Sequence, residues 1–150
     1  MGYYTAAGTI AVAATKTPLI LGATAATRFR IQGYSISTTG TPTSDQGVEF
    51  QVRRATALGT STAFTPVASD PSDPASVFTA GVNCTVEPTY TASAYMQDRA
   101  FNPRATVQWA AYDPRAELIA PATAANGIGF QIIGAGGSAG NCLVDVQVLQ

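Results

Sequence analysis

Histidine is missing from this chain, lysine occurs once, at Lys16, and cysteine only twice, at Cys84 and Cys142. Eight basic and nine acidic side chains make up 11% of the 150 residues, where an average soluble domain carries about 25%. Each shortage excludes something. Without histidine the chain lacks the side chain most often used to move protons near neutral pH, and neither a Ser-His-Asp nor a Cys-His arrangement can be assembled. Lys16 is not set in a Ser-x-x-Lys motif. With no Cys-x-x-Cys and no Cys/His cluster, a zinc site is close to excluded as well. No apolar run approaches the ~20 residues of a membrane-spanning helix; the longest surrounds Leu19, Ile20 and Leu21. Met1-Gly2-Tyr3-Tyr4 has no positive segment leading into a hydrophobic stretch, and Ala6 breaks the myristoylation pattern. A net charge of −1 offers no general attraction for nucleic acid or an anionic membrane. The expectation is a soluble scaffold made in a cytoplasm, with no catalytic residues, no metal and no cofactor.

In place of charge stand 27 alanines and 20 threonines. They run through short stretches that alternate apolar and polar side chains, and helical periodicity is nearly absent. Val48, Phe50 and Val52 oppose Glu49, Gln51 and Arg53. Val107, Trp109 and Ala111 alternate with Gln108 and Tyr112, and Ile128, Phe130 and Ile132 alternate around Gly129 and Gln131. Val144, Val146 and Val148 against Asp145 and Gln147 are the clearest case. Such patterns mark antiparallel sheets with one buried face. Between Arg28 and Ile36 the phase changes, since Phe29 and Ile31 share one face but Tyr34 and Ile36 would share the other. Gly33 at the switch predicts a bulge that resets the register. Weaker strands are expected at Thr9–Val12, Leu19–Ala23, Phe64–Val67 and Ala92–Gln97.

Turn chemistry separates these runs at 38–42, at Asp70-Pro71-Ser72-Asp73-Pro74, at Asn102-Pro103, at Asp113-Pro114 and at Asn126-Gly127. About eight or nine short strands in 150 residues predict one all-β domain, an antiparallel β-sandwich whose expected topology is a jelly roll. Residues 1–12 are small and extended enough for a mobile arm or an edge strand. Within them Tyr3, Tyr4, Ile10 and Val12 are the candidate interface residues.

Several signals of chemistry have a plainer reading. Gly134-Ala135-Gly136-Gly137-Ser138-Ala139 matches a dinucleotide fingerprint, but the phosphate needs a helix N-terminus, and a β-type segment follows. Glu49, Glu87 and Glu117 could supply a glycosidase pair; Glu49 on a polar strand face and Glu87 before Pro88 read better as solvated residues. Asp70 and Asp73 flank a turn, and Asp before Pro is common turn chemistry rather than a calcium loop. Arg28/Arg30 and Arg53/Arg54, without aromatic interleaving, suit salt bridges or interface hydrogen bonds. Cys84 and Cys142 could form a disulfide closing a long loop, worth about 4 kcal/mol. Two buried free thiols are the favoured alternative, because cysteine is among the most buried residue types.

The segment from Val48 to Ala80, with Val-Glu-Phe-Gln-Val-Arg-Arg-Ala-Thr-Ala-Leu-Gly-Thr, then Phe-Thr-Pro-Val, then Ser-Asp-Pro-Ser-Asp-Pro-Ala, followed by Glu87-Pro88-Thr89, resembles small β-rich virion proteins of tailed bacteriophages. The opening Tyr-Thr-Ala-Ala-Gly-Thr-Ile-Ala-Val-Ala-Ala and the valine-rich final strand fit the same pattern. Such proteins are similar to capsid decoration (cement) proteins. The resemblance implies a jelly-roll subunit, often a homotrimer, on the outer capsid surface, with the major capsid protein as partner and neighbouring capsomers clamped. A tail, neck or fibre component, and a carbohydrate-binding sandwich using Trp109 and the tyrosines, are the alternatives.

Overall fold

The computed structural model describes residues 2–11, 15–40, 45–134 and 140–150. Twelve strands follow in order: β1 (Tyr3–Ala11), β2 (Lys16–Gly22), β3 (Arg30–Thr39), β4 (Val48–Ala57), β5 (Thr60–Phe64), β6 (Val67–Ala68), β7 (Thr79–Val86), β8 (Thr89–Phe101), β9 (Val107–Ala110), β10 (Leu118–Ile119), β11 (Gly127–Ile133) and β12 (Asn141–Leu149). A single 3-10 turn, Pro114–Ala116, precedes β10; Asp113 caps it by accepting the Arg115 amide N–H.

Two six-stranded sheets face each other. The first runs β10-β3-β12-β1-β6, with β9 also on β3, and the second runs β5-β7-β2-β11-β4-β8. Every pairing is antiparallel. The antiparallel sandwich expected from the alternation is therefore present, with twelve strands rather than about eight. Most of the surplus is β5–β7, which extends both sheets along one flank.

The core forms where the alternating runs point inward. Phe29, Ile31, Ile36, Val144, Val146 and Val148 from the first sheet meet Leu19, Leu21, Phe50, Val52, Ile128 and Phe130 from the second, all at 0% exposure. Rings pack edge to face across the layers, Tyr34 against Phe50 at 5.9 Å and against Phe130 at 5.4 Å. The phase change in β3 is a bulge: Gln147 pairs with Gly33 while Val148 pairs with Ile31, so Gln32 is the extra residue. That one insertion lets Phe29, Ile31, Tyr34 and Ile36 all face inward.

Of the two expectations for residues 1–12, a mobile arm or an edge strand, the described residues form a strand. β1 pairs with β12 from Tyr3↔Leu149 to Ala11↔Asn141, and Tyr4 and Thr5 also pair with β6. Tyr4 and Ala6 are 1% exposed in the core, so burial of these side chains holds the segment in the sheet as a structural strand. The expected strand at Ala92–Gln97 falls within β8 and that at Leu19–Ala23 overlaps the end of β2, whereas Phe64–Val67 spans the break between β5 and β6.

Candidate interaction surfaces

The candidate interface residues part company. Tyr3 is 38% exposed on the outer side of the first sheet. Tyr4 is removed from the surface: its ring packs edge-on to Phe78 at 5.6 Å and its hydroxyl donates to the Pro74 carbonyl at 2.7 Å. Ile10 is half-buried opposite Cys142, and Val12 lies outside the described residues, as does most of the glycine-rich 134–139 segment. Cys84 and Cys142 are free thiols in separate apolar clusters. Burial raises the Cys142 thiol to about 12. It also raises Cys84 to about 11, helped by the nearby Glu87 carboxylate and opposed by Lys16. Neither is poised as a thiolate nucleophile at neutral pH.

The carboxylates are dispersed and committed. Glu49 accepts from the Gln51 amide, and Glu117 from Arg30 and Gln32. Among the described residues no group of three or more Cys, Asp or Glu side chains is placed to hold a metal. No helix there is long and apolar enough to cross a membrane.

Glu87 is not the solvated turn residue its place before Pro88 suggests. Its carboxylate accepts the Thr17 hydroxyl at 2.6 Å and the Thr17 amide at 3.3 Å, and Thr17 is fully buried. A threonine hydroxyl has one proton. Since it goes to Glu87, the Tyr90 hydroxyl, 2.8 Å away, must donate to Thr17. Burial pushes the Tyr90 phenol well above its ordinary pKa. Tyr90 lies over Gly129, where a β-carbon would run into its hydroxyl. Arg53 spans the Tyr90 and Tyr95 rings at 4.7 and 5.2 Å and donates to Gln131 at 3.0 Å. The cluster seals the outer side of the second sheet, tying the β7–β8 turn to β2.

The outer side of the first sheet is built differently. Outward positions on β1, β3, β9 and β12 hold Ala7, Thr9, Ser35, Ser37, Gln108, Ala110, Leu143 and Gln147. Asp145 is the one charge in their midst, and the Arg30–Glu117 ion pair at 3.3 Å marks a corner. A shallow groove of about 480 Å³ is lined by Ser35, Gln108, Ala110, Asp145 and Gln147. Inside it Asp145 Oδ1 is buried and has no hydrogen-bond donor, an arrangement that costs about 1–3 kcal/mol. Tyr34 and Trp109, stacked on each other at 5.3 Å and 23°, complete the lining.

Several exposed side chains lie around the margins of the sandwich. Tyr112, in the link from β9 to the 3-10 turn, is 95% exposed. Arg28 and Arg54 line a notch of about 300 Å³ with Ile119, Ala120 and Pro121. At the opposite edge Val67 and Val77 are 69% and 45% exposed beside Asp70 and Asp73. Only the fold brings the notch together, since no local motif joins residues 28, 54 and 121.

Compared with protein families, with curated proteins and with solved structures, the chain matches none.

Proposed function

We propose that this chain is a structural protein of a phage virion that binds the outside of the capsid and stabilises the shell by clamping neighbouring capsomers. The observation that carries the reading is the outer side of the first sheet. It is broad, rigid and nearly uncharged, and its one central carboxylate has a buried oxygen that lacks a donor. Surfaces meant only for water are normally dressed in lysine and glutamate; this one is dressed in Ala, Thr, Ser and Gln. A partner that covers it displaces water from small side chains at little entropy cost. An N–H from that partner would satisfy Asp145.

We also read the strands outside the β5–β7 insertion as a jelly-roll frame. Leaving aside the two-residue β10, they fall into the orders β1-β12-β3-β9 and β2-β11-β4-β8, and β1 through β4 alternate between the sheets, as in paired Greek keys. A protein that binds the assembled lattice and not the free subunit stabilises that lattice by mass action.

Co-sedimentation with mature and immature capsids tests the reading. Binding to mature shells alone is expected, and Ala7→Glu, which sets a second carboxylate opposite Asp145, should abolish it with the melting curve unchanged. Binding to neither shell overturns the proposal.

A further inference from the structure

We propose that a notch at one end of the sandwich, with Arg28 and Arg54 in its lining, is a binding site for a phosphate monoester. The two guanidiniums hold the phosphoryl oxygens, and Ile119 and Pro121 receive the organic group. Most of the chain's other cations are committed elsewhere. Lys16, Arg30, Arg104 and Arg115 each meet a carboxylate, and Arg53 donates to Gln131 and to the Thr91 carbonyl. That leaves Arg28, Arg54 and Arg99 with no ion-pair or hydrogen-bond partner among the described residues. Arg99 stands on β8. The other two line one notch of about 300 Å³ that has no carboxylate in its lining.

Arg54 stands where the alternation calls for an apolar side chain. It pairs directly with Ile128, as Val52 does with Phe130 and Phe50 with Ile132, and directly paired residues share a face. Those five partners and neighbours are in the core at 0% exposure. Arg54 therefore holds an inward-facing position, yet it is exposed, so its side chain emerges at the mouth between the two sheets. Arg28 reaches the same mouth from the other layer. It directly precedes Phe29, which is buried in the core and whose carbonyl accepts the Ala120 amide at 3.0 Å. The pairing of Leu118 and Ile119 with β3 carries Ala120 and Pro121 into the wall.

Two like charges that converge without an acid between them repel, and a bound anion turns that repulsion into attraction. A phosphate monoester carries a charge of about −1.5 to −2 at neutral pH and several strong acceptor oxygens, which the planar forks of two guanidiniums match. The space beyond the phosphoryl group is bounded by Ile119, Ala120 and Pro121, an apolar wall that inorganic phosphate would leave uncovered. This site is independent of the virion reading and can fail without it.

Amide chemical shifts of the isotope-labelled full chain, followed against phenyl phosphate at millimolar concentration, test the site. Saturable shifts are expected at Arg28, Arg54, Ile119 and Ala120. Inorganic phosphate, which lacks the ring, and phenyl sulfate, which lacks the second charge, should each bind more weakly. Arg28→Gln and Arg54→Gln should each weaken phenyl phosphate about tenfold with the melting curve unchanged, whereas Arg99→Gln should leave binding as it is. Shifts that do not saturate, equal binding of either comparison anion, glutamine variants that bind like the wild type, or an equal loss in Arg99→Gln overturns the proposal. Should a glutamine variant fail to fold, Arg28→Lys and Arg54→Lys, which keep the charge and lose the fork, must weaken binding.

Discussion

At the scale of single residues, Thr17 shows how a small side chain comes to hold a large assembly of contacts. It sits at 0% exposure with Glu87 and Tyr90 both bonded to its hydroxyl. Thr17→Val keeps the shape and removes the oxygen, leaving a carboxylate and a phenol beneath the β7–β8 turn without their shared partner. The expected cost is about 1–3 kcal/mol, read as a lower denaturation midpoint at unchanged m-value. A loss under about 0.3 kcal/mol would mean that water replaces the hydroxyl without penalty. Gly59 shows a different constraint. Its φ of +70° between β4 and β5 belongs to the left-handed region, and a β-carbon there would meet the Val86 carbonyl.

At the scale of elements, β1 is where sequence and structure diverge most, and for a physical reason. The inward face of β1 runs Tyr4, Ala6, Gly8 and half-buried Ile10, with two small residues at its middle, so alternation there carries little hydrophobic contrast. Gly8 is small because the Pro18 carbonyl of β2 lies where its β-carbon would be. A strand chosen for close approach resembles a flexible arm when read for apolarity alone. Deleting residues 2–11 should therefore abolish cooperative unfolding, not merely partner binding, since it strips β12 of one whole edge and empties the Tyr4 site. A truncated chain that still melts cooperatively would restore the arm. β4, β11 and β12 were legible because large β-branched and aromatic residues fill their inward positions, and the β3 bulge was legible because Gly33 stood at a phase change. β8 was harder to bound, since Thr91 to Tyr95 are exposed on both faces and show no alternation. The Glu87–Thr17–Tyr90 chain and the notch lined by Arg28 and Arg54 could not be read at all. Each joins segments 26 to 93 positions apart, with no local spacing to signal them.

For the whole molecule, the missing histidine becomes a statement about stability and pH. No side-chain type present has an ordinary pKa between about 5 and 8, so the melting temperature should be flat across that range. The alkaline side differs. Burial, against a small opposing effect of Arg99, raises Tyr34 from 10.0 to about 12, and Cys84 and Cys142 rise from 9.0 to about 11 and about 12. In each case the folded chain holds its proton more tightly than the unfolded chain. The associated stability is therefore complete below the unfolded value and lost as pH climbs toward the folded one. Thermal melts should fall from pH 9 upward and more steeply past pH 10. Cys84→Ala with Cys142→Ala should flatten the first interval and leave the second. A melting temperature that is constant to pH 11 would contradict the buried, protonated state of these groups. The strand order carries one more consequence, for biosynthesis. β12 lies between β1 and β3, and β11 lies between β2 and β4, so the middle of each sheet is translated after the strands on either side of it. At about 5–20 residues per second a ribosome leaves the earlier strands waiting for seconds with unpaired edges. Their scarcity of long apolar runs then protects the nascent chain from aggregation until the closing strands emerge.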